Sequence, residues 1–119
     1  MRILLVEDDK FFRDFYAFKL TQKQVTVEVA GDGEEGLAKI IANPPDLVLL
    51  DLVMPKKDGF EVLEGIKEKG LQVPVLVFST LGQMKDVERA RDLGAKGYIN
   101  KNFYDFETLF AKIMALSKK

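Results

Sequence analysis

The sequence predicts an α/β domain in which a mostly parallel five-stranded sheet lies between two layers of helices. Two observations predict it. Five short apolar runs recur along the chain, most of them rich in Val, Ile and Leu with little polar alternation. That is the pattern of parallel strands covered on both faces. Between the runs lie segments with a helical period, bounded by capping and breaking residues. Strand and helix alternating over 119 residues describe one three-layer α/β sandwich, with residues 1–119 as a single domain.

The strands are read in order as "ILLV" (3–6), "VTVEVA" (25–30), "DLVLLD" (46–51), "VPVLVF" (73–78) and "GYIN" (97–100). The helices are read as "KFFRDFYAFKL", "EEGLAKIIA", "GFEVLEGIKEK", "MKDVERARDL" and "FETLFAKIMAL". Asp32 with Glu35, and Asp58 with Glu61, have the spacing of a capping box. Pro44-Pro45, Gly70, Pro74 and Gly94 break the chain between elements. Right-handed crossovers leave few topologies for five such units. The flavodoxin-like (βα)5 order 2-1-3-4-5 suits them, and it places the working crevice beyond the carboxyl ends of the strands.

Composition narrows the chemistry. The chain has no cysteine and no histidine. Thiol catalysis, thiolate metal sites, disulfides and imidazole chemistry are excluded, which leaves carboxylates, hydroxyls, Lys, Arg and backbone. A net charge of −1 gives no electrostatic case for nucleic acid or an anionic membrane. No apolar run approaches the roughly 20 residues of a membrane span. The chain opens directly in a strand pattern without a signal peptide, so a cytoplasmic location is expected.

The strand ends carry the informative residues. The first strand runs into Glu7, Asp8 and Asp9, the third ends at Asp51, the fourth at Ser79-Thr80 and the fifth at Asn100-Lys101. Asp9 reads as a helix cap. Glu7 and Asp8 read equally as solvated caps or as half of a site, and Ser79 and Lys101 taken singly are ordinary turn and surface residues. The order 2-1-3-4-5 makes strands 1 and 3 neighbours, which gathers Glu7, Asp8 and Asp51. Such carboxylates raise one another's pKa unless a cation intervenes. Mg²⁺ suits them, because it takes one or two carboxylates and leaves room for a phosphate oxygen; Mn²⁺ is a substitute of the same oxygen-binding type. With a hydroxyl from Ser79 and an ammonium from Lys101, the set describes a site for one phosphoryl group, with Asp51 as nucleophile.

Over essentially its whole length the chain resembles a response-regulator receiver domain of two-component signalling. The resemblance is carried by "LLVEDD", "LLDLVMPKKDG", "VFST" and "GAKGYINK", of which the D-x-x-M-P-x-x-D-G string is the most specific. It implies that Asp51 is the phospho-acceptor. It also implies that Asp8, Asp51 and the backbone carbonyl of Val53 ligate Mg²⁺, with Glu7 in the acidic pocket through water. Ser79, the Thr80 N–H and Lys101 would stabilise the phosphoryl group. Ser79 and Tyr98 fill the switch positions that reshape the surface of helix 4, strand 5 and helix 5; Tyr98 taken alone reads as half-buried packing. The implied donor is a sensor histidine kinase or a phosphotransferase, and the implied readout is a downstream protein target. Such domains are signalling proteins rather than enzymes.

Two positions depart from the family pattern. Asn102 follows Lys101 where the family usually has a cis-proline. A cis bond costs about 0.5–1 kcal/mol before proline and about 2.5–4 kcal/mol before another residue, so Lys101–Asn102 is either strained or trans. Thr80 is bulkier than usual and narrows access. Val53 and Leu81 are apolar beside the site and offer nothing to orient an attacking water, so slow self-dephosphorylation is expected.

Nothing after the fifth helix reads as an output domain, so output by protein contact is expected, from a monomer that dimerises, if at all, when phosphorylated. In the first helix Phe11, Phe12, Phe15, Tyr16, Phe18 and Leu20 spread over about 200° of arc. Either some of this aromatic surface, with Phe11, Phe15 and Phe18, is exposed for a partner, or it packs under a thick core. Rival functions fit less well. A flavin carrier would not set Glu7 and Asp8 against its phosphate. A nucleotide hydrolase would need a G-x-x-x-x-G-K-[ST] loop. A haloacid dehalogenase-type phosphatase would need an acid where Val53 stands. A binding module of the same fold that signals without phosphate is the remaining alternative.

Overall fold

A computed structural model describes residues 1–117; the last two residues of the expected 1–119 domain lie outside the described residues. Ten elements alternate along the chain: β1 (Arg2–Val6), α1 (Lys10–Thr21), β2 (Thr26–Ala30), α2 (Gly33–Ala42), β3 (Leu47–Leu50), α3 (Gly59–Glu68), β4 (Val75–Ser79), α4 (Met84–Asp92), β5 (Gly97–Asn100) and α5 (Phe106–Ser117). Every expected element is present, with ends moved by a residue or two. The strands form one sheet in the order β2-β1-β3-β4-β5, and all pairs are parallel.

The unbroken apolar runs have a direct cause. Side chains along a strand point alternately to opposite faces, and here both faces are covered. Leu4, Val6, Val48, Leu50, Val75 and Val77 pack on one side with Ile40 of α2, Val62, Leu63 and Ile66 of α3, and Ala90 of α4. Ile3, Leu5, Leu47, Leu49, Leu76 and Phe78 pack on the other with Tyr16 and Leu20 of α1 and Leu109 and Ile113 of α5. The edge strand β2 alternates instead, with Thr26 and Glu28 exposed, as a half-covered edge requires.

Helix starts follow the sequence signals with one difference. Asp9 caps α1 by accepting from the Phe12 N–H at 3.2 Å. At α3 the reciprocal box forms: Asp58 accepts from the Glu61 N–H and Glu61 accepts from the Asp58 N–H. At α2 only half of it forms. Asp32 accepts from the Glu35 N–H, but the Glu35 carboxylate reaches one residue further back, to the Gly31 N–H at 2.8 Å, and also pairs with Lys39. The spacing allows the box, but the turn at Gly31 and the i,i+4 lysine take its second half.

Candidate functional site

Backbone bonds at the carboxyl ends of the strands set the site before any side chain is considered. The Glu7 N–H donates to Ala30 O at 3.0 Å, and the Asp51 N–H donates to Val6 O at 3.1 Å. The Lys101 N–H donates to Ser79 O at 2.9 Å. Glu7, Asp51 and Lys101 are thus each the first residue past a strand, still held by the ladder.

Gly59 tightens the acceptor loop. Its N–H donates to Leu52 O at 2.9 Å, and α3 starts so close to the acceptor that a Cβ at Gly59 would lie 2.5 Å from Asp51 O and 2.7 Å from Leu52 Cα. This close approach is the physical content of the D-G pair at the end of "DLVMPKKDG".

The carboxylates converge as the strand order requires. One oxygen each from Glu7, Asp8 and Asp51 lies within 4.8 Å of the others. Glu7 and Asp51 are 3% and 7% exposed, while Asp8 faces solvent. Asp51 Oδ1 accepts from the Leu52 N–H at 2.8 Å and more weakly from the Val53 N–H at 3.4 Å. Asp51 Oδ2 lies 3.5 Å from Lys101 Nζ. Lys101 also forms an ion pair and hydrogen bond with Glu7 Oε1, and Glu7 Oε2 accepts from the Asp9 N–H at 3.1 Å.

Charge is incompletely balanced. One ammonium faces three carboxylates. Burial pushes the Glu7 carboxyl above its ordinary value; Lys101 opposes that shift, and the Asp51 charge adds to it. Hard oxygen donors with excess negative charge and one member open to solvent fit a small divalent cation such as Mg²⁺.

Ser79 is buried at the end of β4, and its Oγ accepts from the Leu81 N–H at 3.3 Å. Thr80 is exposed at the next position. The half-buried Tyr98 donates its hydroxyl proton to Leu81 O. Its phenol is pushed up to about 12 by burial, with the charges of Asp86 and Asp51 adding to the shift. Among the described residues no peptide bond is cis, so Lys101–Asn102 is trans. Lys101 reaches Glu7 and Asp51 nonetheless.

The structure brings Glu7, Asp8, Asp51 and Lys101 together and sets Ser79, Thr80 and Tyr98 on and beside the adjoining β4–α4 loop. Phe11, Phe15 and Phe18 stand apart on the outer side of α1. Phe11 and Phe18 are 73% and 62% exposed, so this aromatic surface is open rather than packed under a core. Sequence reasoning missed Arg13, whose Nη1 donates to Glu7 O at 3.0 Å and Asp8 O at 3.4 Å and so braces the acidic loop. It also missed the rings of Phe12 and Phe78 beside Lys101. Both contacts are tertiary, and in one dimension these residues read as helix surface and strand core.

A family model described as "Response regulator receiver domain" matches residues 3–114. Curated relatives include the transcriptional regulatory protein CiaR of Streptococcus pneumoniae, 40% identical over 119 residues, covering all of this chain and 52% of the relative. They also include the transcriptional regulatory protein DltR of Streptococcus agalactiae, 39% identical over 113 residues, covering 95% of this chain and 50% of the relative. The chain spans about half the length of the curated relatives it matches. Among solved structures, the BeF3-activated N-terminal receiver domain of Klebsiella pneumoniae RstA superposes with a TM-score of 0.93 at 27% identity, covering 100% of both chains. A chain of the CheX-CheY-BeF3-Mg complex from Borrelia burgdorferi superposes with a TM-score of 0.92 at 30% identity, covering 100% of this chain and 90% of that one.

The chain belongs to the receiver-domain family of two-component response regulators. Receiver domains are signalling modules that bind Mg²⁺ at an acidic pocket. They interact with histidine kinases or phosphotransferases and with downstream targets. No helix among the described residues is long and apolar enough to cross a membrane.

Proposed function

We propose that Asp51 accepts a phosphoryl group from a phosphohistidine donor, and that the resulting charge switches the surface of α4, β5 and α5 for a partner protein. The bond between phosphorus and the donor's imidazole nitrogen breaks. A bond to a carboxylate oxygen of Asp51 forms, and the imidazole leaves with the bonding pair. The Leu52 N–H holds one oxygen of Asp51, which orients the carboxylate toward the crevice. Lys101 and the Ser79 hydroxyl stabilise the phosphoryl oxygens, with the Thr80 N–H beside them. Mg²⁺, held by Asp8, Asp51 and the Val53 carbonyl within the pocket that Glu7 completes, would supply charge neutralisation when bound.

The observation that carries this reading is the meeting of Asp51 with Glu7, Asp8 and Lys101. Three carboxylate oxygens lie within 4.8 Å of one another, and one ammonium lies 3.5 Å from Asp51. A fold kept only for binding gains nothing from burying two like charges beside a third.

The test is intact-protein mass spectrometry after incubation with phosphoramidate or acetyl phosphate. One added phosphoryl group with Mg²⁺, absent without Mg²⁺ and absent in Asp51→Asn, is the expected result. No addition to the wild type, with no Mg²⁺ binding, would move the function to a phosphate-independent binding module.

A further inference from the structure

We infer that Phe12 and Phe78 form an aromatic seat that positions the Lys101 ammonium for the transferred phosphoryl group. The inference rests on the reading that Lys101 stabilises that group. Lys101 Nζ stands 5.1 Å from the centroid of the Phe12 ring and 5.5 Å from that of Phe78. Both distances lie inside the roughly 6 Å within which a cation is attracted to a ring face. The lysine side chain is only 6% exposed, so that attraction is little weakened by water.

The two rings come from different elements, α1 and β4, and a shared network holds them. Phe78 meets Tyr16 and Tyr104 edge to face, at centroid distances of 5.1 and 4.9 Å and interplanar angles of 84° and 86°. Phe12 stacks on Tyr16 at 5.9 Å and 7°. The hydroxyls of Tyr16 and Tyr104 are hydrogen-bonded to each other. Neither ring can turn away from Lys101 without disturbing the core between α1 and α5.

The seat answers a problem in this chain. Glu7 and Asp51 pull the ammonium toward the carboxylates, and a phosphoryl group must draw it away from Glu7. A ring face attracts the cation without a lone pair that competes for its protons, so the attraction persists as the hydrogen-bond partners change. Residue 102 is Asn rather than a rigid proline, and its N–H is turned back onto Asn100 Oδ1 at 2.8 Å. The backbone after Lys101 is therefore held by a side-chain hydrogen bond, and the rings supply the rest of the restraint. Phe12 and Phe78 act through Lys101 and are positioning residues.

The test replaces Phe12, in the full chain, by phenylalanines carrying one, two or three ring fluorines, beside Phe12→Leu and Phe12→Tyr. Fluorine drains the negative ring face while leaving size and packing nearly unchanged. With Mg²⁺ and phosphoramidate, the initial phosphorylation rate read by mass spectrometry is expected to fall stepwise with fluorination. It should be about tenfold down in Phe12→Leu, equivalent to about 1.4 kcal/mol in the barrier, and unchanged in Phe12→Tyr. A rate indifferent to fluorination would overturn the inference. A second readout needs no phosphorylation: the ε-methylene protons of Lys101 should be ring-current shifted upfield of the other lysines, and should move toward them in Phe12→Leu. Unshifted protons in the wild type would also overturn it. Should the wild type accept no phosphoryl group, the Asp51 reading fails, and the proton shifts alone decide the seat.

Discussion

Ser79 and Tyr98 are joined through one backbone residue. Ser79 Oγ accepts from the N–H of Leu81 at 3.3 Å, and the Tyr98 hydroxyl donates to the carbonyl of the same Leu81. A hydroxyl drawn toward a phosphoryl oxygen must loosen its bond to the Leu81 N–H, and any turn of that residue moves the carbonyl that Tyr98 holds. The raised Tyr98 pKa, about 12, keeps this donor protonated through neutral and mildly alkaline pH. The proposed switch uses this pair as a two-state element of the kind a local charge can bias.

Ser79→Ala should therefore still take a phosphoryl group on Asp51 but break the link to Tyr98. In the wild type the NMR signals of the Tyr98 ring should shift when the phosphoryl mimic BeF3⁻ is added with Mg²⁺; in Ser79→Ala that shift should shrink markedly. Equal shifts in both proteins would show that the signal travels another way. Tyr98→Phe should lower stability by about 1 kcal/mol, the usual net value of one hydrogen bond, measured by urea unfolding.

The acidic pocket should cost the metal-free protein stability. Burial raises the folded-state pKa of Glu7 above its ordinary 4.5, with Lys101 offsetting part of the shift. The folded chain then holds the Glu7 proton more tightly than the unfolded chain does. Its contribution to stability is present below pH 4.5 and is lost as pH rises through the raised folded value. Glu7→Gln should accordingly raise the melting temperature at pH 7 by more than it does at pH 4, while weakening Mg²⁺ binding. A melting temperature lowered more at pH 7 than at pH 4 would mean that the Lys101 pair outweighs the burial.

Much of this was legible in the sequence because parallel strands covered on both faces write unbroken apolar runs such as "LVLL", and because strand order then dictates which strand ends meet. Asp8 and Asp51 were brought together by topology alone. What stayed illegible was set by side chains choosing among equivalent partners. Glu35 had the spacing for a full capping box but bonds Gly31 instead. Lys101 could have paired with Asp51 alone, yet it also pairs with Glu7. Phe12 belongs to the aromatic arc of α1 and Phe78 to a strand core, and their approach to Lys101 depends on how α1 lies on β4.

Gly59 should tolerate no side chain. An added Cβ would press on the backbone of Asp51 and Leu52, neither of which can swing aside as a side-chain end can. Gly59→Ala should cost about 1–3 kcal/mol, the range for overpacking, and should slow phosphorylation of Asp51 as well. At Gly65 the nearest atoms are the side-chain end of Leu37, so Gly65→Ala should cost less. Denaturant midpoints for the two variants would check the order, and equal costs would count against it.

The phosphorylated form should be long-lived. Val53 is exposed and Leu81 half-buried beside the site, and neither carries a group that could orient water for attack on the phosphoryl phosphorus. Placing a carboxylate there with Val53→Glu should shorten the half-life at least about tenfold, a modest fraction of what a positioned acid or base can supply. Loss of the added phosphoryl mass over time measures it. A wild-type half-life of seconds would refute the expectation.

The open rings of α1 should matter to a protein donor and not to a small one. Phe11 stacks on Phe15 at a centroid distance of 6.2 Å, and Phe11, Phe15 and Phe18 all face solvent, so together they form an apolar strip on the outside of the helix. Replacing Phe11 and Phe18 by Ser removes exposed surface only, and the loss in stability should be small, near the usual ±0.5 kcal/mol for each surface change. Phosphoramidate should phosphorylate the double variant at the wild-type rate, because Asp51 and its neighbours are untouched. Transfer from a phosphorylated histidine protein that serves the wild type should fall by about tenfold or more, as when interface anchors worth roughly 1.4 kcal/mol or more are lost. Unchanged transfer into the folded double variant would place the docking surface elsewhere. Equal losses with both donors would instead point to a disturbed acceptor site.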